Sequence, residues 1–199
     1  MPDLWWFVQA RCDDIVKNKD VLPKLRRAGL RWVLLGVENS EPSTLESFNK
    51  GISPEEAREA VRLLKKNDIF GHAMFIIGNR KDTHETIAKM RRFIEELDPD
   101  FAIFAILTPF PGSEIYEEAK NNGWLEDTNW ANYDMVHAIM PTETLTTKEI
   151  QEELYRCYRA FYGGWNRRIG GLFSGNELKR RVFWHMARRG IMRQLENLF

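Results

Sequence analysis

Four short segments hold the residue types that could do chemistry, and each directly follows an apolar run. They are Arg11-Cys12-Asp13-Asp14, Gly36-Val37-Glu38-Asn39-Ser40, Gly78-Asn79-Arg80-Lys81-Asp82 and Thr108-Pro109-Phe110-Pro111-Gly112-Ser113. Glycine at such places lets the backbone approach a ligand closely. Arg11 and Glu38 suit a zwitterion held from opposite sides, the guanidinium on a carboxylate and the carboxylate on an amine or hydroxyl. Each segment alone has an ordinary explanation, since loops after strands are polar and Glu38 can cap the turn that follows it. The histidines (His72, His84, His137, His185) do not cluster in sequence. Cys12 and Cys157 lie too far apart to read as a disulfide framework or a metal motif.

The elements that must position these segments alternate between short apolar runs and helix-period stretches, the signature of parallel β/α units. The apolar runs are Trp5 to Ala10, Arg31 to Val37, Phe70 to Ile77 and Phe101 to Leu107. The last is apolar on both faces, as a strand covered on both sides should be. Between them the spacing predicts a helix from about Asp20, stopped at Gly29, and a second with Ser53 as N-cap, Pro54 first and Glu56 closing a capping box. A third is expected from Thr83 to Leu97 and a short one from Ser113 to Asn121. Residues 124–146 look irregular, a longer helix capped by Thr147 runs to about Tyr162, and the last 25 residues read as one basic amphipathic helix. In either a barrel or an open sheet of this kind, function gathers at the C-terminal ends of the strands, where the four segments lie.

This predicts an α/β fold, a partial parallel (β/α) barrel of about four units with a C-terminal helical appendage. Four units do not close a barrel, and an apolar first strand with an open edge invites pairing, so upstream units are expected to be missing. The predicted division is 1–123 for the barrel part, 124–162 for an irregular segment and closing helix, and 163–199 for a basic tail. That tail carries eight basic residues against Glu177 and Glu196, so its +6 is balanced by −6 on the body of a chain with zero net charge.

With 43% hydrophobic and 29% charged residues, the 199-residue chain has a globular composition. No apolar run approaches the roughly 20 residues that span a bilayer, and the N-terminus lacks the features of a signal peptide. A reducing, cytoplasmic home is the default expectation. The basic tail reads first as the solvated face of a packing helix. Charged residues interrupt the apolar face that an interfacial membrane helix needs, and no nucleic-acid module accompanies the charge.

Taken together, the four segments resemble a family. GVENSEPSTLESFNKGI, ending in Lys50-Gly51-Ile52, resembles the GVES-type signature in the fourth unit of radical S-adenosylmethionine (SAM) enzymes. FIIGNRKDTHETI resembles that family's FILGLPGETEET segment, ILTPFPGSEIYEEA its TPYPGTPLYEEA stretch, and QARCDDI lies where the family has an Arg-Val-Asp element. The resemblance runs in order across residues 5–120. The pieces Asn18 to Leu22, Asn67-Asp68-Ile69, Asp82-Thr83 and Tyr158 to Tyr162 are similar to the cobalamin-binding branch, most of all the anaerobic magnesium-protoporphyrin monomethyl ester cyclases.

That resemblance implies a radical SAM barrel whose cofactors are SAM, a [4Fe–4S] cluster and cobalamin. It places Glu38 and Asn39 near the SAM ribose and methionine moiety and Arg11 near its carboxylate. Phe75, Ile76, Ile77 and Gly78 would flank adenine, with Leu107, Thr108 and Pro109 at the neighbouring strand end. Tyr162, Trp165 and other tail aromatics either wall a flat apolar substrate or, more simply, pack. The family's CxxxCxxC loop is not in this sequence, nor is its glycine-rich segment for the SAM amine, and its Pro-Gly-Glu is here Arg80-Lys81-Asp82. The expectation is therefore a C-terminal fragment of an oxidoreductase or methyltransferase that binds SAM and a small molecule such as a tetrapyrrole. Cluster and cobalamin ligands would belong to a missing N-terminal half, and the chain would be inactive alone. The alternative is a non-catalytic remnant acting as a binding module. Neither nucleic acid nor a transmembrane segment is expected.

Overall fold

The computed structural model describes residues 4–41, 44 and 53–189. Lys50-Gly51-Ile52, Arg193, Leu195 and Glu196 lie outside the described residues. Four parallel strands, β1 (Trp6–Arg11), β2 (Leu30–Glu38), β3 (Phe70–Ile77) and β4 (Phe101–Ile106), pair in sequential order. This is the order expected of right-handed β/α crossovers, and it is the sheet of a partial barrel.

Each crossover begins where the sequence supplies a cap. The helix after β2 that the structure describes, α3 (Pro54–Lys66), has Ser53 and Glu56 in a reciprocal capping box with proline at its first position. α4 (His84–Leu97) is capped by Thr83 and Thr86 and ends at Asp98, whose left-handed φ of 47° stops the helix. Ser113 caps α5 (Glu114–Asn121). Two expectations are corrected. Helix begins directly after β1 as α1 (Cys12–Lys17), followed by a 3₁₀ turn and α2 (Leu22–Arg27), because Asp13 and Asp14 already favour a helix N-terminus. The cap of α6 (Thr147–Gly163) is Thr146, which forms the capping box with Glu149.

Alternation along the strands gives the sheet two unlike faces. Val33, Leu35, Val37, Ala73, Phe75, Ile77, Phe104 and Ile106 are buried in a single core with residues of α1, α3, α4 and α6. The opposite, inner face carries Trp32, Leu34, Met74, Ile76 and Ile103, all only partly buried. α6 packs along β4 and is locked to α4 by Glu153. That carboxylate, 0% exposed, accepts from His84 Nδ1 (2.8 Å) and Arg156 Nη1 (2.7 Å) and pairs with Arg91.

The basic tail holds two helices, α7 (Trp165–Leu172) and α8 (Glu177–Arg188), parted at Phe173 to Asn176; α8 lies within the last 25 residues where a helix is expected, and α7 precedes them. Gly171 makes the split workable. A Cβ there would sit 2.1 Å from the Phe183 ring, so only glycine lets the two helices pack. The hairpin is fastened to the N-terminal side of the strands, where Arg167 reaches Asp98 (2.6 Å), Asn176 reaches Asp68 (2.8 Å) and Lys179 reaches Asp100 (2.8 Å). It therefore sits opposite the end that carries the four polar segments.

Candidate functional site

At the C-terminal end of β2 the backbone departs from regular strand. The pairing with β3 slips between Gly36 and Glu38, and Glu38 adopts a φ of 63°. Glycine is the residue suited to such a conformation, and holding another there costs about 1–3 kcal/mol. Glu38 is nonetheless 8% exposed, so the fold both strains and shelters this carboxylate. Asn39 secures the turn: its Oδ1 accepts from the N–H groups of Ser40 (2.8 Å) and Glu41 (3.0 Å), while its Nδ2 donates to Ile76 O (3.3 Å). Its amide is thus spent on backbone, which makes Asn39 a positioning residue for Glu38.

Glu38 and Arg11 line one cavity of about 320 Å³, together with Gln9, Asp14, Leu34 and Met74. Arg11 is 42% exposed and held by Asp13, whose Oδ1 accepts from Arg11 Nε (2.9 Å). Hydrogen bonding by Lys17 offsets the upward push of burial, and with Arg11 it holds the Asp13 carboxyl below the usual range. The site thus joins a fixed cation to a sheltered acid over an apolar floor, the arrangement a zwitterion with an apolar body requires.

The remaining expected residues fall elsewhere. Phe75 and Ile77 are fully buried on the helix side, Phe75 stacked on Phe104, so their side chains do not face the cavity; Ile76 does face inward. Gly78 has a φ of 83° and starts the turn after β3. Thr108 and Pro109 are buried, with the Thr108 hydroxyl donated to Ile106 O (3.1 Å). Leu107 lines a second cavity of about 660 Å³ with Asn79, Arg80, Lys81 and Trp124. There the Arg80 guanidinium lies 3.9 Å over the Trp124 ring and donates to Pro141 O (2.5 Å). Asp82 closes the turn by accepting from Asn79 N (3.0 Å), while its own carbonyl accepts from Thr142 (3.0 Å) and Thr144 (3.1 Å). Burial pushes the Asp82 carboxyl up to about 6, against the pull of the Asn79 and Gly78 N–H groups.

Sequence reasoning missed Leu34 and Met74. The only signal for them is parity, since Arg11 pairs with Gly36 and Gly36 with Met74, and strands apolar on both faces hide it. His72, from sequence one of four histidines that do not cluster, stands beside Trp32 on the inner face with Nε2 buried and burial lowering its pKa to about 4. Among the described residues, no group of three His, Cys, Asp or Glu could hold a metal ion. Cys12 and Cys157 are both buried, and burial pushes the Cys157 thiol up to about 12.

Residues 4–94 match the model of the radical SAM superfamily. They are a radical SAM segment. The chain is 32% identical over 160 residues to an uncharacterized methyltransferase of Pyrococcus horikoshii, covering 80% of this chain and 34% of that protein. It is 33% identical over 163 residues to the anaerobic magnesium-protoporphyrin IX monomethyl ester cyclase of Cereibacter sphaeroides, covering 81% of this chain and 26% of the cyclase. The chain thus spans about a third or less of the length of these two relatives. In fold it is similar to the radical SAM methyltransferase TsrM of Kitasatospora setae, solved with cobalamin and a [4Fe-4S] cluster. That similarity has a TM-score of 0.58 at 16% identity and covers 98% of this chain and 45% of TsrM. Radical SAM membership implies SAM and an iron–sulfur cluster for the family, and the parallel sheet with its helical C-terminal region is the fold that goes with it.

Proposed function

We propose that this chain supplies the SAM-binding, substrate-facing part of a cobalamin-type radical SAM cyclase or methyltransferase acting on a tetrapyrrole. The carrying observation is the cavity that brings Arg11 and the strained, sheltered Glu38 to one apolar floor. In this family SAM, when bound beside a reduced cluster, supplies a carbon radical that abstracts hydrogen. The work of this chain is to hold SAM still. Arg11 takes the carboxylate of the methionine moiety, and Glu38 accepts from its ammonium or a ribose hydroxyl. Asn39 fixes the turn that aims Glu38. Leu34 and Met74 keep water off the apolar side. The buried thiols do not fit a cluster, so cluster and cobalamin would be held by residues outside this chain, and a strand bearing them would pair with β1. The tetrapyrrole substrate is favoured by the cyclase relative.

Titration calorimetry with SAM, beside thermal melts, tests this reading. Glu38→Gly should relieve the left-handed strain, leaving the melting temperature unchanged or higher, while affinity falls about tenfold or more, the worth of a charge-assisted hydrogen bond of about 1.5–3 kcal/mol. Glu38→Gln should weaken SAM binding without the gain in stability. A lowered melting temperature with an unchanged dissociation constant would return Glu38 to a purely structural role.

A further inference from the structure

The hairpin of α7 and α8 lies away from the SAM cavity, and the proposed function leaves its outer surface unused. Along α7 and its C-cap, Trp165 (73% exposed), Ile169 (49%) and Phe173 (76%) recur every fourth residue and form one stripe. Gly171, the contact with Phe183, lies on the other side of that helix, so the stripe points away from α8. On α8, Trp184 is 46% exposed and lines a groove of about 430 Å³ with Arg180, Arg181, His185, Arg188 and Glu177. Charged residues interrupt the apolar face of the final helix taken by itself, and on that ground the sequence alone argues against an interfacial helix. Folded as a hairpin, the segment separates the two, with the apolar stripe on one helix and the basic groove on its neighbour.

We propose that this hairpin docks the protein on an anionic lipid bilayer, with the α7 stripe in the headgroup–acyl boundary and the exposed arginines at the end of α8, Arg188 and Arg189, reaching lipid phosphates. Charge complementarity favours this occupant. Residues 163–199 carry +6 and the rest of the chain −6; Arg167 and Lys179 are paired with Asp98 and Asp100 of the body, while Arg188 and Arg189 are exposed, so an anionic surface attracts the outer end of the hairpin and repels the body. Tryptophan and phenylalanine beside arginine are the residues that partition to that boundary. No helix among the described residues is long and apolar enough to cross a membrane, so the contact lies on the surface. A nucleic acid would engage the arginines and leave Trp165, Ile169 and Phe173 in water. The inference does not depend on the SAM reading, and a failure of either leaves the other standing.

Co-sedimentation of the 199-residue chain with vesicles tests it, using phosphatidylcholine alone or with about a quarter phosphatidylglycerol. Binding is expected to the mixed vesicles, to be at least about tenfold weaker on phosphatidylcholine, and to be lost in about 1 M salt, where screening is within a few ångströms. Trp165→Ser with Phe173→Ser should weaken binding about tenfold, and Arg188→Glu with Arg189→Glu should abolish it. All four side chains are exposed, so circular dichroism should show both variants folded. No sedimentation with the mixed vesicles, equal binding to both kinds, or binding indifferent to the Trp165/Phe173 pair would overturn the proposal. So would a concentration-dependent dimer that the same pair abolishes, or duplex DNA binding that outcompetes the vesicles.

Discussion

β1 and β4 are both outer strands of one sheet, yet their free edges differ in what occupies them. In a parallel strand, alternate residues point their N–H and C=O to the same side, so Ala102, Phe104 and Ile106 are what a further strand would bond beyond β4. All three are taken. Ala102 donates to Tyr162 Oη (3.1 Å), which returns a bond to Ala102 O (2.7 Å). Phe104 does the same with Tyr158 (3.3 and 3.0 Å), and Ile106 N donates to Met135 O (2.8 Å). Tyr158 and Tyr162 lie one turn apart on α6, so a single helix face delivers two hydroxyls at the spacing of alternate strand residues. Among the described residues, no hydrogen bond reaches the outer edge of β1, and Phe7 there is 49% exposed. An edge is a liability unless it is covered. The sheet is therefore finished at β4 and extensible at β1, which gives the partial barrel a direction of growth and supports the proposed pairing of β1 with a strand from outside this chain.

The largest expected effect comes from removing what holds α6, and with it the seal. Glu153→Ala leaves Arg91, 21% exposed, without its buried carboxylate, and breaking a buried ion pair in this way costs about 3–5 kcal/mol. Burial pushes the Glu153 carboxyl up, but hydrogen bonds from His84 and Arg91 outweigh it and hold the group below its ordinary value. A depressed carboxylate contributes stability above its unfolded value, near 4.5, and loses it as pH falls through the folded one. Urea melts between neutral and acid pH should show wild type losing this increment below about pH 4.5 and Glu153→Gln having little of it to lose. A wild-type loss matched by Glu153→Gln would mean that the seal does not depend on this ion cluster.

Next in size is the seal itself. Tyr162→Phe leaves the buried Ala102 N–H and C=O unbonded, at a cost of about 1–3 kcal/mol. Tyr158→Phe should cost less, since Tyr158 and Phe104 form a partly buried pair. Hydrogen exchange at the Ala102 and Phe104 amides should quicken in the matching variant while the β2–β3 ladder keeps its protection. Equal quickening across all four strands would mean that the hydroxyls support global stability rather than this edge.

The sheet order and the helix caps were legible because they rest on local chemistry. Ser53-Pro54-x-Glu56 and the apolar runs state their own structure. So was the placing of Arg11 and Glu38 at one end of the sheet, where they line one cavity, because strand ends in a parallel sheet converge. Three features were not legible. The tyrosine seal joins residues about 55–60 apart through backbone groups, which leave no trace in composition. The strain at Glu38 depends on a register slip that the string GVEN does not display. The packing of the two tail helices depends on Gly171 meeting Phe183, a contact between helices that the sequence does not display, although Ser174-Gly175-Asn176 does mark the turn between them. The residues expected to flank adenine are divided by parity: Phe75 and Ile77 face the helices, and Ile76 alone of the three turns inward.

The smallest effect on stability should come from β1. Phe7 meets the Trp32 ring edge-on at 5.8 Å but is half exposed, so Phe7→Lys removes one aromatic contact of about 0.5–1.5 kcal/mol and little buried area. Its larger consequence lies in association. An open, apolar parallel edge pairs with other chains, and a lysine on it is a common deterrent. Wild-type protein should therefore form concentration-dependent oligomers in sedimentation velocity, and Phe7→Lys should reduce them while Tyr162→Phe leaves them unchanged or raises them. If Phe7→Lys leaves oligomers intact and Tyr162→Phe creates them, then β4 is the edge on which the molecule depends and β1 is protected by means other than pairing. If neither variant shifts the distribution, association does not run through the sheet, and the contrast between the edges matters to folding alone.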